Sequence, residues 1–181
     1  MALKATIFKA TLHIADMDRH YYADHHLTVA RHPSETDERM MIRLLAFVLN
    51  ASENLEFTKG LSTDDEPELW QKSLTDEIEL WVDLGLPDED RLRKACNRSQ
   101  KVTLYTYGGR AVPVWWEKHH NKLERFGNLT IVDLAAEETE ALANLAERSM
   151  DFQVTVQDGE VTFSNDQSLV SITPHQRLPA A

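Results

Sequence analysis

Glu77-Ile78-Glu79-Leu80-Trp81-Val82-Asp83-Leu84-Gly85 is the stretch on which the fold turns. Ile78, Leu80, Val82 and Leu84 alternate with Glu79, Trp81, Asp83 and Gly85, the period of a strand with one apolar face. Pro87-Asp88 then opens a helix expected to reach about Arg98, with Asp88, Glu89 and Asp90 favoured at its positive N-terminal end. Residues 101–107 follow as a strand closed by Gly108-Gly109.

Upstream, residues 55–61 read as a strand, Asp64-Asp65-Glu66-Pro67 as a turn and Glu68-Leu69-Trp70 as a short strand. Before them, Ser34 is placed to cap a helix that carries Met40, Met41, Leu44, Leu45 and Val48 at helical spacing to about Asn50. Residues 34–107 therefore read αβββαβ. Downstream come a helix over 112–123 in spite of Pro113, a strand over 129–134 and a helix over 137–150. Hairpins are expected at both ends: residues 5–14 with 22–29 about Asp16-Met17-Asp18, and 152–156 with 160–163 about Asp158-Gly159. Residues 170–172 add a last strand. The expectation is one α/β (α+β) domain over 1–181, with a core at about 34–134 and a hairpin added at each end.

Composition agrees with a folded chain. The 181 residues are 42% apolar and 27% charged, too apolar for disorder, and the length suits one domain with a sizeable core. The single Cys96 excludes a disulfide framework and a Cys-rich zinc site, and suits a reducing compartment. No apolar run of membrane-spanning length occurs, and the N-terminus alternates where a signal peptide needs an unbroken apolar run. A cytoplasmic protein without membrane association is expected.

Net charge is −11, from 30 acidic and 19 basic residues, which argues against a protein that coats nucleic acid. The charge is uneven, however. Residues 35–90 carry 16 acids and 4 bases, whereas 91–125 carry 9 bases and 2 acids. Such a division either sets carboxylates beside a phosphate-attracting surface or forms two solvated faces that partly neutralise each other.

Within the acidic third, Glu38 falls on the apolar side of its helix, between Met41, Ile42 and Leu45. There it is costly unless compensated, although the first turn of a helix favours an acid. Glu79 and Asp83 flank Trp81 on one strand face, either a solvated face or one wall of an acidic site. Glu68 directly follows Pro67 at the entry to a strand. If Glu38, Glu68 and Asp83 converge, they suffice for a hard cation such as Mg²⁺, which keeps several of its waters. Arg91, Lys94 and Arg98 line one flank of the next helix, placed to hold a phosphate or to pair with nearby acids. The histidines lack zinc-motif spacing, Trp115-Trp116 with His119-His120 reads as partly core, and neither the serines nor Cys96 has a triad context.

Ala30-Arg31-His32-Pro33-Ser34-Glu35-Thr36, Glu38-Arg39-Met40-Met41, Asp64-Asp65-Glu66-Pro67-Glu68-Leu69-Trp70 and Trp81-Val82-Asp83-Leu84-Gly85-Leu86-Pro87 resemble the bacterial YaeQ family. Residues 91–96 and Val114-Trp115-Trp116 extend the resemblance, which runs from Met1 to about Phe163. YaeQ proteins are similar to the PD-(D/E)xK nuclease fold, whose core has the same αβββαβ order. The resemblance implies Glu38 as the helix acid, Glu68 after Pro67 as the acid of the "PD" pair and Asp83 as the acid of the last tripeptide. On this reading Glu79 is expected as a spare ligand, and the expected metal is Mg²⁺, with Mn²⁺ as the alternative. The tripeptide here is Asp83-Leu84-Gly85, with glycine where the pattern has lysine. Lys94 or Arg91 on the following helix is then the replacement, Lys94 for water activation and Arg91 for charge stabilisation, since arginine stays protonated. Two readings follow. One is a Mg²⁺-dependent nuclease or phosphodiesterase acting on nucleic acid; the other is a non-catalytic regulatory protein that kept the fold and binds nucleic acid or protein.

Overall fold

The computed structural model describes residues 4–58 and 65–179. Their elements are β1 (Thr6–Asp16), β2 (Tyr21–Arg31), α1 (Asp37–Asn50), β3 (Leu55–Phe57), β4 (Leu69–Lys72), β5 (Ile78–Leu84), α2 (Glu89–Arg98), β6 (Ser99–Thr106), α3 (Ala111–Leu123), β7 (Leu129–Asp133), α4 (Ala136–Ala143), β8 (Ser149–Gln157), β9 (Glu160–Ser164), β10 (Leu169–Ile172) and β11 (His175–Leu178). The fold is mixed α/β, and α1 to β6 follow the expected αβββαβ order. The chain divides into two compact units. One runs to Leu49 and takes in Glu137–Pro174; the other takes in Asn50–Ala136 and the residues from His175 on.

The first unit holds a five-stranded sheet in the order β10-β9-β8-β1-β2. β1 and β2 pair antiparallel as the expected hairpin, and β8 joins β1 in parallel. Alternation decides the faces: Phe8, Ala10, Leu12 and Ile14 are buried, while Lys9, Thr11 and His13 point the other way. On α1 every residue from Met40 to Val48 is buried, Arg43 among them. Arg43 is tolerated because Glu35 takes its Nε and Nη2 at 2.9 and 2.6 Å. The helix cap is Thr36, whose Oγ1 accepts from Arg39 N at 3.1 Å, and not Ser34, whose Oγ lies 2.7 Å from His32 Nδ1. The helix expected over 137–150 stops as α4 at Ala143, because residues from Ser149 on pair with β1. Long-range pairing overrides the local helical pattern there.

The second unit holds a six-stranded sheet in the order β11-β7-β6-β5-β4-β3. β5, β6 and β7 are parallel, and α2 and α3 cover one face of them, burying Trp81, Leu92, Val102, Leu104, Trp115 and Ile131 together. Pro113 sits in the first turn of α3, where no helical N–H is lost. β3 ends at Phe57, and the rest of the strand expected to Leu61 lies at Thr58, outside any strand, and beyond the described residues. The strand β11 was not expected at all. Strict alternation on β5 also fails: against β4 the register slips by one residue between Leu80 and Ile78, at Glu79. Ile78 is accordingly buried in the same cluster as Trp81, and not on a face with Leu80 and Val82.

Two measurements check this description. Thr36→Ala lowers the unfolding free energy by about 1 kcal/mol through loss of the α1 cap, whereas Ser34→Ala leaves it nearly unchanged. His13 lies 2.9 Å from Asp24 on β2 and 3.1 Å from Asp151 on β8, and these carboxylates hold its pKa above the ordinary 6.5, the hydrogen bond to Asp24 contributing most. Its stabilisation is therefore complete below 6.5 and fades as pH rises through the higher folded value. His13→Gln lowers the Tm more at mildly acid than at alkaline pH, and the wild-type ring titrates with a midpoint above 6.5 by NMR.

Candidate functional site

The centre of the second unit is the junction of β4, β5 and α2. Glu68 N donates to Val82 O at 2.9 Å and Leu69 pairs with Val82, so Glu68 stands opposite Asp83 across the two strands. Both are buried, at 6% and 2% exposure. A pair of carboxylates so placed requires a counter-charge.

α2 supplies it. Asp88 caps the helix by accepting from Arg91 N at 2.9 Å, and this fixes Arg91 in the first turn. Arg91 Nε donates to Asp83 Oδ2 at 2.9 Å and its Nη2 to Asp83 Oδ1 at 3.0 Å, a bidentate clamp with one guanidinium nitrogen on each oxygen. Nη2 also donates to Glu66 O at 2.9 Å and so ties the segment before Pro67 to the helix. Arg98, two turns on, donates to Asp65 O at 2.7 Å and lies 5.2 Å from the Trp81 ring centre.

Gly85, which stands where the resemblance led to the expectation of a lysine, has φ +94° and donates its N–H to Tyr105 O at 2.9 Å. A β-carbon is strained at that φ, so the turn from β5 into α2 excludes lysine on backbone grounds. The glycine and the arginine clamp belong to one device: the turn swings α2 back so that Arg91 meets Asp83.

The remaining candidates are placed as follows. Lys94 is exposed one turn after Arg91, beside an open cavity of about 390 Å³ lined also by Pro87, Asp88 and Asp90. Glu79, at the register slip, is half-buried and accepts from Gln71 Nε2 at 3.3 Å. Glu38 belongs to the first unit, where its Oε2 accepts from the buried Thr139 Oγ1 at 3.0 Å. Among the described residues no group of three or more His, Cys, Asp or Glu side chains is arranged to hold a metal ion. As it stands, Asp83 offers a divalent cation no oxygen free of a guanidinium bond, and with no third ligating side chain beside it and Glu68 among the described residues the set does not fit a metal site. Burial pushes the Cys96 thiol up to about 11, so that at neutral pH it stays protonated. The sequence also concealed Asp133 at the carboxyl end of β7. It accepts from Thr106 Oγ1 at 2.5 Å and from Arg177 Nε, on the unexpected β11, at 2.7 Å. A strand of four residues, beginning His175-Gln176, gives little periodicity by which to find that pair.

Comparison with known proteins follows the same outline. The family model described as YaeQ protein matches residues 1–174. The chain is 48% identical over 172 residues to the Uncharacterized protein YaeQ of Escherichia coli (strain K12), covering 95% of each, and 47% identical to that of Salmonella typhi. It is similar to the crystal structure of a YaeQ protein from Xanthomonas axonopodis pv. citri, with TM-score 0.93, 54% identity and coverage of 96% of this chain and 98% of that one. A YaeQ protein from Pseudomonas syringae matches with TM-score 0.91, 35% identity and 96% of each chain. None of the helices described is long and apolar enough to cross a membrane. With a family model over nearly its full length and relatives this similar from end to end, the chain belongs to the YaeQ family.

Proposed function

We propose that this chain is a binding protein on a PD-(D/E)xK-like scaffold that does not cleave phosphodiesters with a metal, and that it acts on nucleic acid or a protein partner by association. The observation that carries the reading is the bidentate hold of Arg91 on Asp83. A catalytic carboxylate in metal-dependent hydrolysis must offer its oxygens to a cation. Here the guanidinium holds both, permanently charged and tied by Nη2 to the Glu66 carbonyl. Gly85 adds to this, since its backbone conformation is incompatible with the lysine that the pattern uses.

One observation favours the second reading, a Mg²⁺- or Mn²⁺-dependent nuclease. Glu68 and Asp83 do stand opposite each other on adjacent strands, as that chemistry needs. On that reading Asp83, Glu68 and Glu79 would hold the cation, and Lys94 would serve to activate the water.

Calorimetric titration of Mg²⁺ and Mn²⁺ into wild type and a Glu68→Ala/Asp83→Ala double variant separates the two. The proposed function predicts no heat that the double variant abolishes, and no cutting of plasmid DNA or single-stranded RNA with either metal. Binding lost in the variant, together with cutting lost in the variant, establishes the nuclease instead. A second prediction concerns stability. Arg91→Ala strands a buried carboxylate and costs about 3–5 kcal/mol, whereas Arg91→Met with Asp83→Leu recovers most of that loss. Urea unfolding followed by circular dichroism measures both.

A further inference from the structure

β2 ends the sheet of the first unit, and among the described residues no strand pairs with its outer edge. It is 11 residues long and pairs with β1 without a slip. The other sheet ends are short, three residues in β3 and four in β10 and β11. Long edge strands are ordinarily guarded by proline, lysine or a bulge. β2 has none of these. Its core-facing row is also unfinished: Tyr21, Ala23, His25 and Leu27 are half-buried, whereas the matching row of β1 is fully buried. On the outward row Tyr22 is 61% exposed.

We propose that β2 pairs antiparallel with β2 of a second copy of this chain, continuing the sheet across a two-fold axis. The strand is complementary to its own reverse in one register, centred on His25. There Asp24 lies opposite the partner's His26, Tyr21 opposite the partner's Val29 and Ala23 opposite the partner's Leu27. Each of these contacts occurs twice, by symmetry. The outward row then brings Asp24, which also holds His13 of its own chain, to the partner's His26, and the inward row joins apolar pairs on either side of His25, which meets its own copy at the axis. A slip by one residue would set the two rows on each other and lose both matches. Arg43 limits the pairing at one end, since its Nη2 takes the Ala30 carbonyl at 3.0 Å. The covered row supplies the apolar burial that a bare edge pairing lacks. This inference does not depend on the state of Asp83 and stands whether or not the protein cleaves nucleic acid.

Sedimentation velocity and light scattering on the full chain, from low micromolar to millimolar concentration, test it. Wild type is expected to run with the mass of two chains. His26→Glu sets a carboxylate against the partner's Asp24 twice over and raises the dimer Kd by about tenfold or more. Asp24→Asn added to His26→Glu removes the facing carboxylate, keeps an amide oxygen on the His13 ring of the same chain, and restores the dimer. Circular dichroism reports that each variant keeps its fold. A wild type that stays monomeric at the highest concentration overturns the proposal. So does a folded His26→Glu protein that dimerises as tightly as wild type, or a dissociation that the added Asp24→Asn leaves unrepaired.

Discussion

Asp83 sits on the strand at the middle of the second sheet, almost without solvent contact, and Glu68 stands opposite it on the neighbouring strand. Bringing two carboxylates together under a helix requires a cation that water does not supply. Arg91 meets that need from the first turn of α2, and its position depends on three local features. Pro87-Asp88 starts the helix, Asp88 caps it, and Gly85 takes the left-handed turn that brings it back over β5. The packing of α2 over Trp81 and the tether of the segment before Pro67 follow from the same contact. Loss of the guanidinium would leave a buried charge alone, while replacement of the whole pair by apolar groups is a milder change.

The turn at Gly85 accounts in physical terms for a glycine where the resemblance led to the expectation of a lysine. Lysine is absent at residue 85 because the backbone there has φ +94°, and the positive charge comes instead from the next helix. On the proposed function this is a settled structural pair in a protein that binds and does not cut. Two bases on the flank of α2, Arg91 and Arg98, each hold a backbone carbonyl of the segment before Pro67, while Lys94 is exposed. A run of bases after a run of acids is thus in part an internal neutralisation, one of the two alternatives that the charge distribution left open.

The order of elements from α1 to β6 was legible in the sequence because each carries its own local signal: a capped helical period, a proline, a strand alternation. The pairing of Glu68 with Asp83 was expected only from the family resemblance, and the role of Arg91 was divided between catalysis and ion pairing. What could not be read is what depends on distant residues. Residues 144–150 have a helical pattern, yet from Ser149 the chain joins a strand some 140 residues earlier in sequence. The slip at Glu79 is a backbone event between β4 and β5 and leaves no residue type behind. The capping choice of Thr36 over Ser34 rests on two residues of helix register, within the ordinary error of reading a boundary.

The account turns on whether Arg91 keeps Asp83 when a divalent cation is offered. Crystals of the full chain equilibrated with Mn²⁺ and measured at a wavelength where manganese scatters anomalously answer this directly. The account predicts no anomalous peak within coordination distance of Asp83 or Glu68, with the guanidinium still bridging both Asp83 oxygens. A manganese peak between those carboxylates, with Arg91 turned away, would contradict it.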